Sequence, residues 1–336
     1  MAGGFGAAAD EATRLRAAAM AAGRAPSILN TQPWRWRLRG DELDLYAVRS
    51  RRVDSIDPEG RLLTVSCGAA LHHARVALAA AGREPAVTRC PDPGDPDLLA
   101  RMRVAGPHEV RPEDRDDERS IGRRRSDRRP FPATEPVPDE TLAALEAAAT
   151  GEGAWLHRVG PEQIAFLVTA GEGAASIQGR DEAYSSDLHA WTRRGHASGE
   201  GVPPETVVSP TERRVPLRDF TLDGESLLEP GYGDDRYAQY LIVATDGDRP
   251  LDWLRAGEAV SAVWLAATSR GLAGSAMSDV VEVPGARALL TGLLDRHGYP
   301  QLVLRFGLDM QQRRPPASPR QPPASTIEIG DGAAQP

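Results

Sequence analysis

The segment Arg24-Ala-Pro-Ser-Ile-Leu-Asn-Thr-Gln-Pro-Trp34 contains two prolines that exclude a continuous helix. Pro26 and Pro33 each fix φ at about −65° and stiffen the loop between them. The polar side chains of this loop are Ser27, Asn30 and Gln32. Such a loop can present hydroxyl, amide and backbone donors to the edge of a planar heterocycle. Taken alone, it can equally be a rigid connection that buries Trp34 in the core.

Around this loop, hydrophobic periodicity and turn residues predict helices mixed with short strands. In the first third of the chain we expect helices at residues 11–24 and 62–81 and strands at residues 34–38, 43–46, 85–90 and 100–104. Farther along we expect helices at residues 139–149, 164–193, 254–270 and 286–294 and strands at residues 154–159, 240–244 and 301–306. The pattern is typical of an α+β protein.

Three regions lack a core pattern. Residues 197–233 are rich in Gly and Pro and read as a long loop or lid. Residues 274–283 read as a shorter loop. The tail after Gly307 is rich in Pro, Gln and Arg, and we expect its last dozen residues to be disordered.

A second polar segment, Ile121-Gly-Arg-Arg-Arg-Ser-Asp-Arg-Arg-Pro-Phe131, concentrates positive charge in a chain whose net charge is −8. All 40 basic residues of the chain are Arg, so an anion site here must use guanidinium groups, which bind phosphate in a bidentate manner. Five Arg and one Ser around a helix end form a dense donor array. A charge run of this kind can also be a solvated surface, and the segment alone leaves both interpretations open.

A weak internal sequence repeat suggests that one half of the chain is a duplicate of the other. Gly68, Ala70, Ala77 and Gly82 recur at one constant offset as Gly257, Ala259, Ala266 and Gly271. Both sets lie on predicted Ala-rich helices that end in Gly. Because helices of this composition match each other easily, chance also explains the repeat.

Composition restricts the possible functions. No stretch approaches the roughly 18 uninterrupted apolar residues of a membrane helix, and residues 1–10 have no secretory pattern, so we expect a cytoplasmic protein. Cys67 and Cys90 form neither a disulfide framework nor a metal pair, and the adjacent His72 and His73 lack spaced partners, so no metal is expected. The negative net charge argues against a nucleic-acid surface.

Together, the two polar segments resemble the FMN-dependent nitroreductases. Residues 25–34 resemble the family's P-S-x-x-N-x-Q-P-W segment, and Arg124-Arg125-Ser126-Asp127-Arg128 resembles its R-x-S-x-R segment. Residues 271–277 and the strand at residues 299–307 are similar to the family's C-terminal pattern, and Arg320 stands in the place of its closing basic residue.

The order of these motifs is reversed relative to ordinary nitroreductases and resembles the Acg-like branch, in which two halves are fused. The resemblance implies a nitroreductase-like fold of two related halves that form an intrachain pseudo-dimer, each a mainly antiparallel sheet flanked by helices. We therefore predict a first half at residues 1–110, a second half at residues 111–310 with its lid at residues 197–233, and an extended tail at residues 311–336. One composite site remains, so we expect one FMN per chain.

The resemblance also implies the residues that bind the cofactor. The phosphate and pyrimidine contacts would come from the Arg segment and the tail, and the other contacts from the proline-stiffened loop and from a loop near flavin N5. The implied cofactor-binding residues are Pro26, Ser27, Asn30, Gln32, Arg124, Arg125, Ser126, Arg128, Met277, Ser278 and Arg320. No separate catalytic side chain is implied, because the flavin carries the chemistry.

The implied function is that of an oxidoreductase that passes electrons from NAD(P)H through FMN to a nitroaromatic, quinone-like or other small acceptor. The alternative is a protein that binds or sequesters FMN with little reductase activity, because a lid at residues 197–233 could exclude nicotinamide. Fusion of the halves allows a monomer, although a homodimer stays open.

Overall fold

The computed structural model of the chain describes residues 2–131, 135–221, 226–294, 298–308 and 314–330, with the side chains of residues 2–9 left undescribed. It contains two β-sheets, helices packed on them, and long connections without regular structure. The predicted α+β class is confirmed. The parts of the predicted lid and of the predicted tail that fall in the gaps lie outside the described residues.

The helices in chain order are α1 (Ala2–Ala22), α2 (Arg61–Ala80), α3 (Pro112–Arg123), α4 (Asp139–Gly151), α5 (Ile164–Gln178), α6 (Glu182–Thr192), α7 (Pro250–Ser269), α8 (Asp279–Glu282), α9 (Pro284–Thr291) and α10 (Pro323–Thr326). The strands are β1 (Trp34–Arg39), β2 (Glu42–Ala47), β3 (Arg83–Arg89), β4 (Leu98–Pro107), β5 (Trp155–Arg158), β6 (Gln239–Thr245), β7 (Leu272–Met277), β8 (Tyr299–Leu308) and β9 (Ile327–Ile329). Short 3₁₀ turns connect several of them, one of them within the loop that precedes β1.

The first sheet has the strand order β3-β4-β2-β1-β9. Its central hairpin follows from alternation, since Trp34, Trp36 and Leu38 point inward and are buried while the arginines between them are less buried. The strands pair antiparallel, except that β9 joins β1 in parallel. The C-terminal tail therefore returns to the sheet that the N-terminal third of the chain forms.

The second sheet has the order β5-β6-β8-β7, and its strand pairs are antiparallel. Residues of β6 and β8 are buried almost throughout, as expected for central strands covered on both faces. Each of the two sheets is therefore mainly antiparallel, as predicted. The division into two duplicated halves, with boundaries at residues 110 and 310, stays a prediction.

Helices α2 and α7 pack against each other between the sheets at a point where both carry glycine. A Cβ at Gly68 would overlap the carbonyl oxygen of Leu254, and a Cβ at Gly257 would overlap that of Val65. His72 bonds Ser261, 189 positions away, which is also the offset between the two glycines. Reciprocal contacts at one constant offset are the pattern that a two-fold axis produces. The sequence repeat therefore lies at the contact between α2 and α7.

Several expected elements differ from those observed. The helix expected at residues 164–193 is two helices, α5 and α6, because Asp181 accepts the backbone N–H groups of Ala183 and Tyr184 and starts a new helix. The loop expected at residues 274–283 is wrong, since strand β7 and helix α8 lie there. Strand β7 was missed because Ala, Gly and Ser have little strand preference.

The tail also differs from the expectation of disorder. Part of the last dozen residues forms α10 and β9, and β9 pairs with β1. Residues 331–336 lie outside the described part. The first helix begins at Ala2 rather than at residue 11. Composition alone could not show these elements, because pairing with β1 is a tertiary contact.

Helix α2 is long and apolar enough to cross a membrane by length and composition, but 83% of the apolar window is buried inside the protein. It contacts α1, α3 and α7. These features are those of a core helix in a globular protein.

A partly buried ion-pair cluster anchors the start of α2 to the second sheet. Asp248 accepts hydrogen bonds from Arg61, from Arg287 Nη2 at 2.7 Å, from Trp253 Nε1 at 2.7 Å and from Gln301 Nε2 at 3.2 Å. Burial alone would raise the pKa of Asp248, but the hydrogen bonds hold it well below its ordinary value. The lowered pKa means that the carboxylate stabilises the fold above about pH 4, and that this contribution is lost as the pH falls further.

We therefore expect Asp248→Asn to lower the free energy of unfolding by about 2 kcal/mol at pH 7. Below pH 4, the difference in the free energy of unfolding between the variant and the native protein becomes smaller. Urea denaturation at pH 7 and pH 3 measures both values. Asp54→Asn is the control, because the Asp54 side chain is 76% exposed and pairs with Arg52 at the surface. Equal stability of Asp248→Asn and the native protein at pH 7 would contradict the assignment.

Candidate functional site

A cleft lies between the proline-stiffened loop and the Arg segment, which are almost 100 residues apart in sequence. It encloses about 920 Å³, counting the space that opens to solvent. Asn30 and Ser126 line the same cleft. Eight of the predicted cofactor-binding residues line it, namely Pro26, Ser27, Asn30, Arg124, Ser126, Arg128, Ser278 and Arg320. The structure therefore brings the two polar segments together.

The loop before β1 holds an unusual backbone. Leu29, Asn30 and Gln32 all have positive φ, at 44°, 56° and 48°. This region is costly for residues other than Gly, although Asn tolerates it best. Two side chains compensate, since Ser27 Oγ accepts the N–H of Gln32 at 3.0 Å and Ser66 Oγ accepts the N–H of Ile28 at 3.1 Å. Strained backbone of this kind concentrates at ligand-binding sites.

The Arg segment continues from the end of α3 as extended chain along the edge of β7. Ser126 forms a parallel bridge with Gly274, and the N–H of Asp127 donates to the carbonyl of Gly274 at 2.8 Å. Because side chains alternate in extended chain, Arg124, Ser126 and Arg128 share the cleft side. Asp127 points the other way and pairs with Arg129 at 2.6 Å. The spacing of the motif is thus the period of a strand.

A buried arginine holds this segment in its extended conformation. Arg305 on β8 is fully buried and donates to Asp235 Oδ2 at 2.5 Å and to the carbonyls of Asp127 and Arg129, both at 2.8 Å. Asp235 in turn accepts the N–H of Phe131 at 2.7 Å. Bonds to main-chain groups on both sides of Arg128 hold the extended conformation, so Arg305 positions the segment without lining the cleft.

The side chain of Asn30 joins three segments at the cleft wall. Its Nδ2 donates to the carbonyls of Gly201 at 3.1 Å and Pro319 at 2.9 Å, and its Oδ1 accepts Arg320 Nη1 at 2.8 Å. The amide is therefore engaged by protein groups. Its visible effect is to hold Arg320 and the segment at Gly201 against the cleft.

Three cleft arginines lack an acidic partner among the residues that the structure describes. Burial lowers the pKa of Arg124 to about 9, and of Arg128 and Arg320 to about 10 each, with repulsion from neighbouring arginines adding to the effect. All three stay protonated at neutral pH. Because none of the three guanidinium groups forms an ion pair with a described carboxylate, their positive charge favours a bound anion.

Buried polar atoms at the cleft wall are also unpaired within the described part of the chain. They are Arg124 Nε and Nη1, Arg320 Nε and Ser275 Oγ. Such atoms are rare in native proteins, and a missing ligand or water is a common reason. The described residues that line the cleft include no Asp or Glu. The donor set therefore fits a phosphate.

The rest of the cleft is apolar and was not identified in the sequence. Helix α2 contributes Leu62, Val65 and Ala69 at helical spacing, and α7 contributes Val260 and Trp264. Arg124 lies over the Trp264 ring at 5.0 Å. Trp264 is buried, as expected for a core residue, and it also walls the site. The sequence signal for this wall is the i, i+3, i+7 spacing of apolar residues on α2. A helix that packs in the core shows the same spacing, so the pattern does not identify a cleft.

Three predicted residues lie away from the cleft lining. Gln32 is buried and donates to the carbonyl of Gly199 at 2.8 Å, while its Oε1 accepts the N–H of Gln321 at 2.9 Å. Arg125 faces a neighbouring cavity and donates to the carbonyl of Gly122. Met277 is buried at the end of β7. Gln32 positions the loop, and neither Arg125 nor Met277 lines the cleft.

The described part of the predicted lid covers one side of the cleft. Gly201, Val202 and Phe220 belong to the cleft lining. Arg128 lies over the Phe220 ring at 4.3 Å and donates to the carbonyl of Thr206 at 3.0 Å. The long connection is therefore packed against the site. Residues 222–225 lie outside the described residues.

The two adjacent histidines lie in the helix interface rather than at a surface. His72 Nδ1 and His73 Nδ1 lie 2.8 and 2.9 Å from Ser261 Oγ. Burial lowers the pKa of His72 to about 3 and that of His73 well below its ordinary value, so both stay neutral. Within the described ranges, no group of three or more His, Cys, Asp or Glu is placed to hold a metal ion.

Comparison with known proteins gives matches over nearly the whole chain. A model of the nitroreductase family matches residues 121–290. Two Mycobacterium tuberculosis proteins with the provisional name NAD(P)H nitroreductase, acg and Rv3131, are 34% and 36% identical over 92% and 95% of this chain and 93% and 92% of their own. Rv3127 of the same organism, whose name states no function, is 34% identical over 94% of this chain and 93% of its own.

Solved structures also match part of the chain. Two of them, named as nitroreductases with bound FMN, come from Bacteroides fragilis and Desulfitobacterium hafniense. They match 64% of this chain and 98% of their own, with sequence identities of 15% and 13% and TM-scores of 0.39 and 0.41.

Proposed function

The chain belongs to the nitroreductase family, and we propose that it is an FMN-binding oxidoreductase that takes electrons from NAD(P)H and passes them to a nitroaromatic, quinone-like or other small acceptor. The observation that carries the proposal is the cleft in which the Asn30 loop and the Arg124–Arg128 segment meet. Its arginines, which lack carboxylate partners among the described residues, suit the phosphate of a phosphorylated flavin. Its apolar walls suit the flavin ring.

At the phosphate end, Arg124, Ser126 and Arg320 would bind the anion. Each charge-assisted hydrogen bond contributes about 1.5–3 kcal/mol. Asn30 fixes Arg320 through the bond to its Oδ1, so the loop would help to bind the phosphate even though its amide is engaged. These contacts cost little reorganisation, because β7 and Arg305 already hold the Arg segment.

At the ring end, the α2 and α7 side chains and Leu302 would exclude water from one face of the flavin. Arg128 would lie near the pyrimidine edge, where a positive charge stabilises the anionic reduced form. The bound flavin itself supplies hydride and electron transfer. The residues of this chain bind it, orient it and adjust its charge.

A second function is favoured by one observation, the packing of Phe220 and the segment at Gly201 over the cleft. If this lid stays closed, nicotinamide does not reach the ring. The protein would then bind or sequester FMN with little reductase activity.

Anaerobic addition of NADH or NADPH to the flavin-loaded protein tests the proposal. We expect rapid bleaching of the bound flavin and steady turnover once a nitroaromatic or quinone acceptor is added. A bound flavin that neither nucleotide reduces would support sequestration instead. A protein that stays colourless after incubation with FMN would contradict both functions.

We expect Phe220→Ala to raise the rate of flavin reduction by NADPH about tenfold while flavin content stays the same, because it opens the covered side of the cleft. A tenfold change corresponds to about 1.4 kcal/mol of barrier. Stopped-flow absorbance under anaerobic conditions measures the rate.

Phe166→Ala is the matched control for this variant. Its ring lies on α5 and is 53% exposed, so its removal leaves the cleft intact. An unchanged or lower reduction rate in Phe220→Ala would show that the lid does not limit access.

We also propose a cytoplasmic location, which the composition favours, and a monomer or homodimer, which the fused arrangement favours.

A further inference from the structure

A second cavity adjoins the cleft at its phosphate end. It lies between the end of α1, the end of α3 and the C-terminal segment, and it encloses about 1250 Å³ when the space open to solvent is counted. Arg124, Ser126, Ser318 and Arg320 line both spaces. A ligand in the second cavity would therefore lie next to the phosphate of a flavin in the first.

The second cavity is strongly positive. Its described lining contains no Asp or Glu, and its charged members are Arg24, Arg124, Arg125 and Arg320, with His196 as a further titratable group. None of these arginines forms an ion pair with a carboxylate in the described part of the chain. Because the whole chain carries a net charge of −8, this excess of positive charge is local.

The arginines are close enough to repel one another. Burial lowers the pKa of Arg125, and the charges of Arg314 and Arg24 lower it further. Arg320 shows the same effect, with burial first and then the charges of Arg125 and Arg24. A bound anion would offset this repulsion, because it supplies the opposite charge.

One phosphate does not neutralise this group. A phosphate monoester carries about −1.5 to −2 at pH 7. The four arginines of the cavity carry +4, so the flavin phosphate would neutralise about half of their charge. Arg24 and Arg125, which lie outside the first cleft, are left for another anion.

We propose that the second cavity binds a further phosphate-bearing ligand beside the flavin phosphate, a proposal that rests on the proposed function. Arg24 and Arg125 bind the added phosphate through bidentate guanidinium contacts. The same chemistry is offered by two sources, the adenosine phosphates of the dinucleotide electron donor and a free phosphate ion.

Titration calorimetry on the flavin-loaded protein tests this site with three probes: adenosine 2′,5′-bisphosphate, adenosine 5′-monophosphate and inorganic phosphate. We expect saturable binding with the flavin retained, and binding at least fivefold weaker in Arg24→Gln, since the Arg24 side chain is absent from the flavin cleft. Tighter binding of the bisphosphate than of inorganic phosphate assigns the site to the dinucleotide. Equal binding of the two assigns it to free phosphate.

Arg16→Gln is the matched control, because Arg16 is an exposed arginine on α1, the helix that precedes Arg24, and its side chain lines neither cavity. Probes that displace the flavin, or an Arg24→Gln variant that binds them as the native protein does, would overturn the proposal. The visible spectrum, recorded before each titration, tests the proposed function separately. A colourless protein would contradict the proposed function. A yellow protein that shows no saturable binding of the probes would contradict only the second site.

Discussion

Arg124→Gln is expected to weaken FMN binding about a hundredfold without loss of fold stability. A hundredfold change is about 2.7 kcal/mol, within the range of a charge-assisted phosphate contact in a partly dehydrated site. The side chain is buried, and its contact within the described protein is the Trp264 ring rather than a carboxylate. Removing an uncompensated buried charge should leave the stability of the flavin-free protein unchanged or raise it.

Fluorescence titration of FMN into the flavin-free protein gives the affinity, and thermal unfolding of the same sample gives the stability. Arg123→Gln is the control, because Arg123 is the neighbouring arginine, is exposed, and is absent from the cleft lining. Full affinity in Arg124→Gln would exclude Arg124 from the phosphate site. A loss of both affinity and stability would instead indicate a structural role.

Gly257→Ala is expected to lower the free energy of unfolding by about 3 kcal/mol, the upper part of the range for overpacking in a core. An added methyl group would overlap the carbonyl of Val65, and the neighbouring Cα of Gly68 leaves no room on the other side. Main-chain atoms on a helix do not rotate away as a side chain does. The substitution must therefore separate α2 from α7.

Chemical denaturation measures this loss, with Gly173→Ala as the control. Gly173 lies on α5 in a helical conformation, and a Cβ there has no described atom within 4 Å. The control should be neutral or more stable by up to about 1 kcal/mol, because Ala has the higher helix propensity. Similar stability of the two variants would show that the helices are not packed as closely as described. Since both helices also line the cleft, Gly257→Ala should weaken flavin binding as well.

The sequence indicated the cleft mainly because its two polar segments together resemble the nitroreductase motifs, since each segment alone left a structural interpretation open. Pro26 and Pro33 restrict the backbone wherever they occur, and the R-x-S-x-R spacing matches the period of extended chain. The resemblance also placed Arg125 with its neighbours, but alternation turns it toward the second cavity. Clustering of charge alone did not show which side of the segment each arginine occupies.

The residues that were missed depend on tertiary contacts. Trp264 and the apolar α2 face have the pattern of a buried core, and they are buried, so the sequence gives no sign that they also wall a cleft. Strand β9 is only three residues long and exists because β1 offers it an edge. Asn30 lies at the cleft, and its bonds to Gly201 and Pro319 join segments that no local pattern connects.

The ratio of FMN to protein chain at saturation tests most directly whether the two distant segments form one flavin site. Dialysed protein is titrated with FMN, and bound flavin is counted by absorbance after removal of the excess. We expect one FMN per chain, with the ratio unchanged in Arg123→Gln. A ratio near zero, or a ratio of two, would contradict a single composite site formed by the Asn30 loop and the Arg124–Arg128 segment.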